Sequence, residues 1–368
     1  MRQTPSLLVL KIGSSLIADS AQQLRREWMA SLAADIAALH HQGTRVLVVS
    51  SGAVALGRGV LGLGTGALSL GEKQAAAATG QPLLMQHWQT AFAPHQLHTA
   101  QMLLTLEDSE NRTRYLNARE TCTRLLAHGL IPIVNENDTV ATAELRVGDN
   151  DRLAARVAAM VGADALVLLS DVAGLYTKHP REAGAVLLRD IAEITPEIFG
   201  MAAGAASAIS SGGMRTKLEA ARIATAAGCT TYIASGLENH PLAALNAGGE
   251  HTCFRASKSP QLARKHWILS TLQVRGRITI DAGAARALEA GKSLLPAGVV
   301  KVEGVFEEGD TVSICAADGH ELARGLIAYD SAEAARIAGK HSREIASVLG
   351  YDGKETLIHR DDLAMLSA

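Results

Sequence analysis

The chain has 368 residues, more than one average domain needs, with 48% hydrophobic, 20% charged and 3% aromatic residues and a formal net charge of −2. These figures allow a sizeable, mostly aliphatic core and give no whole-chain sign of a nucleic-acid or anionic-membrane binder. The four cysteines, Cys122, Cys229, Cys253 and Cys315, are scattered without a Cys-x-x-Cys pair, which argues against a disulfide framework or zinc site, and no apolar run suits a signal peptide or a bilayer span. A soluble cytoplasmic protein is the expectation.

Strand and helix signals alternate from the start. Leu7-Leu8-Val9-Leu10 reads as a buried strand, and Leu24 to His41 as a helix with Leu32, Ile36 and Leu39 at helical spacing, closed by Gly43. Val46 to Val49 is the next strand, followed by Ser50-Ser51-Gly52 and helical stretches through His95. A strand around Met102 to Leu104, a helix from Asn111 to His128, and a strand at Ile131 to Val134 follow. Then come a helix at Leu153 to Val161, a strand at Leu166 to Leu169, a long helix after Gly213, and Tyr232 to Ala234, which ends the series. This rhythm predicts an α/β fold: a mainly parallel sheet sandwiched by helices. Ligands of such sheets bind beyond the carboxyl ends of the strands.

The rhythm breaks near Arg255. Ser257-Lys258-Ser259-Pro260-Gln261 reads as a linker, and beyond it the pattern is of short strands with Gly turns: Gly276 to Ile280, Val299 to Val302, Thr311 to Cys315 and Gly325 to Ala328, with a short helix near Ala282. The predicted organisation is an α/β domain over 1–258, a linker over 259–274, a small β-rich domain over 275–358 and a tail over 359–368.

Several glycine patterns require sorting. Gly57 to Gly62 matches G-x-G-x-x-G as a string, but it lies well past its strand and lacks the acidic residue about 20 positions on, so a chance match is preferred to a dinucleotide loop. Gly291-Lys292-Ser293 lacks the first P-loop glycine, since Arg286 stands there, and Gly66 to Gly71 has Glu72 where the lysine is needed. Three other segments suit phosphate chemistry better. Lys11-Ile12-Gly13-Ser14-Ser15 directly follows a buried strand, and its lysine either pairs with an anion or reaches solvent at the strand end. Ser211-Gly212-Gly213-Met214-Arg215-Thr216-Lys217 feeds a helix whose free amides suit an anion, and Lys217 opposes the helix dipole unless an anion neutralises it. Asn135-Glu136-Asn137-Asp138 and Val147-Gly148-Asp149-Asn150-Asp151 are polar clusters that can bind ammonium and carboxylate groups; the second also suits a helix N-cap.

Together these segments resemble the amino acid kinase family, and within it the glutamate 5-kinase branch. Further matches are Gln101 to Leu104, Tyr115 to Arg119, Ser170-Asp171 and Gly174 to Thr177. The stretch Ser293-Leu294-Leu295-Pro296-x-Gly298 resembles a PUA domain, which makes 1–258 the kinase domain and 275–358 the PUA-like one. Serines replace the more usual threonines at Ser14, Ser50, Ser170 and Ser211, and His179 stands where an aspartate usually precedes Pro180.

The resemblance implies transfer of the γ-phosphoryl group of ATP to the side-chain carboxylate of L-glutamate, with Mg²⁺, as the first step of proline biosynthesis. It implies Lys11, Lys217 and Asp149 as catalytic residues, with Asp149 orienting the lysines. It gives Ser51, Asn135, Asp138 and Asn150 to glutamate. The nucleotide takes Lys11, Gly13, Ser170, Asp171, Ser211, Gly212, Gly213, Met214, Arg215, Thr216 and Lys217, and no residue is assigned to a metal. A homo-oligomer (dimer or tetramer), feedback inhibition by proline and coupling to a glutamyl phosphate reductase are further family expectations; no membrane or nucleic-acid partner is expected. An RNA-binding reading of the PUA-like part meets 11 Lys/Arg against 15 Asp/Glu from Arg275 onward, the reverse of a basic footprint. An NAD-dependent dehydrogenase would rest on the Gly57 to Gly62 string alone, and aspartate, N-acetylglutamate, carbamate and UMP are the alternative acceptors within the family.

Overall fold

A computed structural model of the chain describes residues 4–19, 23–64, 66–140, 149–202, 213–270 and 274–366. The chain divides into two compact units, after Pro260.

The first unit opens with β1 (Leu7–Ile12), a one-turn α1 (Ser14–Ile17), α2 (Arg26–His41), β2 (Arg45–Ser50), α3 (Ala53–Val60) and α4 (Leu70–Phe92). It continues with β3 (Thr99–Leu104), α5 (Arg112–Ala127), β4 (Ile131–Glu136), α6 (Asp149–Val161), β5 (Ala165–Ser170), β6 (Asp190–Ile191), α7 (Pro196–Met201), α8 (Met214–Ala226), β7 (Thr230–Ser235), α9 (Pro241–Asn246) and β8 (His251–Phe254). The strands form one sheet of order β3-β4-β2-β1-β5-β7-β8-β6. Every pairing is parallel except β7 with β8. The alternation does not stop at β7, as the sequence reading has it: α9 and the antiparallel β8 extend the sheet. The two-residue β6 is too short to leave a periodic signal.

Each face of the sheet carries its own core, and strand parity decides which side chain enters which. Leu8, Leu10 and Ile12 of β1 pack with residues of α2, α4 and α9, whereas Leu7 and Val9 pack with residues of α5, α6 and α8. Lys11 shares the parity of Leu7 and Val9, so it faces α6 and α8. Ser50 follows Val46 and Val48, and Asn135 follows Ile131 and Ile133, so both face the α4 side.

The sheet also has a switch point. Chain order runs from β1 outward through β2, then resumes on the other side at β5. In open parallel sheets the crevice beyond such a reversal is the ligand site.

The string Gly57 to Gly62 begins inside a helix. A Cβ at Gly57 would lie 1.8 Å from the Ala76 carbonyl oxygen, and one at Gly80 1.9 Å from that of Ala53. Here the glycines let α3 and α4 touch backbone to backbone, and Gly57 does not form a strand-to-helix phosphate turn.

The second unit holds α10 (Pro260–Ser270), β9 (Gly276–Ile280), α11 (Ala282–Glu289), β10 (Val299–Gly304), β11 (Thr311–Cys315), β12 (Glu321–Leu326), α12 (Ser331–Ile337), α13 (Ile345–Leu349) and β13 (Leu363–Met365). Its sheet has the order β10-β9-β11-β12-β13. The span read as a linker is largely α10. Arg264 pairs with Asp362 at 2.5 Å, and Ile268 packs with Leu326 and Ala364. The span read as a tail carries β13, antiparallel to β12. The strand expected at Gly325 to Ala328 starts at Glu321 instead, because antiparallel pairing with Thr311–Cys315 draws in the polar residues Glu321 and Arg324.

Candidate active site

Lys11, Asp151 and Lys217 meet at the carboxyl end of β1. All are buried, at 6%, 0% and 4% exposure. Asp151 Oδ1 lies 2.6 Å from Lys11 Nζ, and Oδ2 lies 3.2 Å from Lys217 Nζ. Thr216 Oγ1 donates to Oδ2 at 2.8 Å. The local folding explains the meeting. Asp151 stands in the first turn of α6, where a carboxylate is favoured by the helix dipole. It also lies on the stripe of Ala154, Ala155 and Ala158 that packs against the sheet. Lys217 is on the matching stripe of α8, with Ala220, Ala221 and Ala224. Crossing of α6 and α8 is further pinned by Arg152 Nε donating to Glu219 Oε2 at 2.8 Å.

Burial on its own would raise the Asp151 pKa. The charges of Lys11 and Lys217, with hydrogen bonds from Lys11 and Thr216, outweigh it and hold the carboxyl below the usual aspartate value. Lys217 moves the other way for its type. Burial is the largest cause, the Lys11 charge adds to it, and the attraction of Asp151 does not restore the ordinary lysine value. One carboxylate shared by two buried ammonium groups thus stabilises the charge on Lys217 incompletely, and an incoming anion would stabilise it further.

The expected residues sort to two sides of this clamp. On the β2–β4 side, Asn150 Nδ2 donates to Ser51 Oγ at 2.8 Å and to Asn135 Oδ1 at 3.2 Å. Gly52, beside Ser51, has φ +114°, and a Cβ there would lie 2.9 Å from Ile17 Cγ2, so both backbone and space demand glycine. Asp138 is half-buried in a 3₁₀ turn, Asp138–Val140, just after β4. On the β5 side, Ser170 ends its strand and its Oγ donates to Asp171 Oδ1 at 3.0 Å. Asp171 adds a weaker attraction on Lys217. A Cβ at Gly13 would stand 4.0 Å from Lys11 Nζ, so the glycine keeps backbone close to the ammonium.

Gly213 is the N-cap of α8 and supplies no side-chain cap; the helix therefore presents amides at this end, as anion sites do. Met214 packs against the α6–α8 core. Arg215 pairs with Glu219 at 3.4 Å and its guanidinium stands 5.9 Å from the Phe199 ring centre. Ser211 and Gly212, and the side chain of Asp149, lie outside the described residues.

The residue seen bridging both lysines is Asp151, two positions after the aspartate assigned that role from the resemblance. Burial periodicity is the signal that could have found it, since Asp151 continues the apolar stripe of its helix. Sequence reasoning also missed Gln81 and Trp88 on α4. Asn135 Nδ2 donates to Gln81 Oε1 at 2.8 Å, and Trp88 Nε1 donates to Ser50 Oγ at 3.0 Å. Among the described residues no three His, Cys, Asp or Glu side chains stand together as a metal site, and no helix is long and apolar enough to cross a membrane.

Known proteins resemble the chain over nearly its whole length. The family model described as the amino acid kinase family matches residues 6–235, and that of the PUA domain matches 276–349. The chain is 58% identical over 359 residues to glutamate 5-kinase 1 of Rhizobium meliloti (strain 1021), covering 97% of this chain and 91% of that protein. It is 57% identical to the glutamate 5-kinase of Sinorhizobium fredii, with the same coverage. It is 54% identical to that of Brucella anthropi over 362 residues, 98% of this chain and 96% of the relative. With a strand-end clamp of two lysines on one aspartate and a family match over most of its first unit, the chain belongs to the amino acid kinase family and carries a C-terminal PUA domain.

Proposed function

We propose that the chain is a cytoplasmic enzyme that transfers the γ-phosphoryl group of ATP to the side-chain carboxylate of L-glutamate, giving L-glutamyl 5-phosphate and ADP, the first step of proline biosynthesis. The observation that carries the reading is the buried Lys11–Asp151–Lys217 clamp, together with near-full-length similarity to proteins named glutamate 5-kinase.

The chemistry needs little beyond this arrangement. A carboxylate is already ionised at neutral pH, so no general base is required. Catalysis then rests on in-line positioning and on positive charge at the equatorial oxygens of the transferring group. Lys11 and Lys217 supply that charge, and Asp151 fixes where it points. The orienting role that the resemblance gave to Asp149 falls on Asp151 in this reading. Ser51, Asn135, Asp138 and Asn150 hold glutamate on the β2–β4 side. Ser170, Asp171 and the start of α8 hold the nucleotide on the β5 side. Magnesium would accompany ATP and supply positive charge at its phosphates. Proline inhibition, a homo-oligomer and coupling to a glutamyl phosphate reductase accompany the reading as family expectations.

Release of ADP from Mg-ATP, measured with glutamate, aspartate, N-acetylglutamate and UMP in turn, tests the proposal. Turnover that depends on glutamate is expected. Turnover only with another acceptor would overturn the substrate, and none with any would overturn the reaction class.

A further inference from the structure

From the polar chain behind the acceptor side we infer that Gln81, on α4, is a positioning residue for glutamate, acting through Asn135. The inference rests on the reading of Ser51, Asn135 and Asn150 as the glutamate side of the site.

The direction of every hydrogen bond in this chain follows from one backbone group. The Glu136 amide donates to Asn135 Oδ1 at 2.9 Å. An N–H is only a donor, so the oxygen of the Asn135 amide must face it, and Nδ2 must face the other way. That end meets Gln81 Oε1 at 2.8 Å. Asn135 Oδ1 also accepts from Asn150 Nδ2, whose second partner is Ser51 Oγ. The order is therefore Ser51, Asn150, Asn135, Gln81, and Gln81 is the far support that keeps Asn135 from turning its amide.

Gln81 is conspicuous on its own helix. It is 7% exposed and continues the buried stripe of Ala77, Leu84, Trp88 and Phe92. Its Nε2 finds no hydrogen-bond partner among the described residues. A buried donor without an acceptor is unfavourable, and an apolar side chain of the same length would avoid that penalty. Keeping the amide there makes sense if the oxygen end has work to do at Asn135. The same helix supports the neighbouring strand end, through Trp88 on Ser50, and it is held against α3 by the Gly57–Gly80 contact. Thus α4 reaches both strand ends on the glutamate side.

The test is a double-mutant cycle on the full chain with Gln81→Met, Asn135→Ala and the pair, reading KM for glutamate, KM for ATP and the thermal midpoint. Gln81→Met removes the acceptor at nearly constant volume. It should raise the glutamate KM about tenfold, equivalent to loss of one hydrogen bond of about 1.4 kcal/mol. It should leave the ATP KM and the thermal midpoint near their wild-type values. On the Asn135→Ala background it should add no further rise, because the partner through which it acts is gone. An unchanged glutamate KM in Gln81→Met, or the same rise on both backgrounds, would overturn the role of Gln81 while leaving the glutamate site standing. An unchanged glutamate KM in Asn135→Ala would overturn the site reading itself, and the role of Gln81 with it.

Discussion

Replacing Asp151 by asparagine keeps the shape of the clamp and removes the charge that bridges Lys11 and Lys217 among the described residues. The carboxylate is fully buried, and both oxygens are engaged by Lys11, Lys217 and Thr216. In Asp151→Asn two buried ammonium groups face a neutral amide whose NH₂ end is itself a donor. Removing one partner of a buried ion pair costs about 3–5 kcal/mol. The escape route is for one lysine to lose its proton. At pH 7 that route costs about 4.6 kcal/mol for a lysine of ordinary pKa, at about 1.36 kcal/mol per pKa unit. It costs less for Lys217, whose pKa is already lowered. The expected loss is therefore about 3–4 kcal/mol, read from urea unfolding at pH 7. Two controls identify the cause. Adding Lys217→Met to Asp151→Asn removes one of the two like charges and should recover at least about 1 kcal/mol. Raising the pH toward 9 should also stabilise Asp151→Asn. Its unfolded state then holds more protons than its folded state, and stability rises with pH under that condition. An Asp151→Asn variant as stable as wild type, or a double variant no better than the single, would refute the reasoning.

Other outcomes follow from the same structure. Lys217→Ala should lower kcat on the order of 10²–10³-fold, as loss of one charge-stabilising donor does, while circular dichroism shows an intact fold, because Asp151 keeps Lys11; near wild-type turnover would contradict it. In acid, the lowered folded pKa of Asp151 makes its contribution complete above its unfolded value of about 3.9 and lost as pH falls through the folded value, so an acid titration of stability should show this loss in wild type and not in Asp151→Asn. Gly57→Ala should cost about 1–3 kcal/mol of stability, since its Cβ would meet backbone of Ala76 and Gly80, which yields only if α3 and α4 part. It should also raise the glutamate KM and leave the ATP KM unchanged, because α3 begins beside Ser51. Asp35 on α2 accepts from the amides of Leu242 and Ala243 at 3.0 and 3.1 Å and bonds His240 Nδ1 at 2.8 Å, so it caps α9 from a distance. Asp35→Ala should lower unfolding stability by about 2 kcal/mol, the upper range for a lost cap, with KM for both substrates unaltered.

The alternation of apolar strands with amphipathic helices made the parallel sheet readable, because a strand covered on both faces leaves a run such as Leu7–Leu10 that polar contacts do not interrupt. Lys11 was readable for the same reason, as a charge directly after such a run. What the sequence conceals is partnership between distant segments. Asp149 and Asp151 are chemically alike, and only the packing of α6 on β1 decides that Asp151 is buried between the lysines. Gln81 and Trp88 lie in an alanine-rich helix that reads as plain scaffold, and their partners are 54 and 38 residues away. The α10 helix looked like a linker because Pro260 and its polar neighbours punctuate the chain. Its packing on Leu326 and Ala364 is a tertiary fact that local composition does not carry.

The central claim is that the clamp delivers a phosphoryl group to the side-chain carboxylate of glutamate. Incubation with Mg-ATP, glutamate and hydroxylamine tests it most directly, since hydroxylamine converts an acyl phosphate into a stable hydroxamate. The account predicts glutamyl 5-hydroxamate in proportion to ADP, strongly reduced in Lys217→Ala. Glutamate-dependent ADP release without hydroxamate, or hydroxamate formed only from another acceptor, would contradict it.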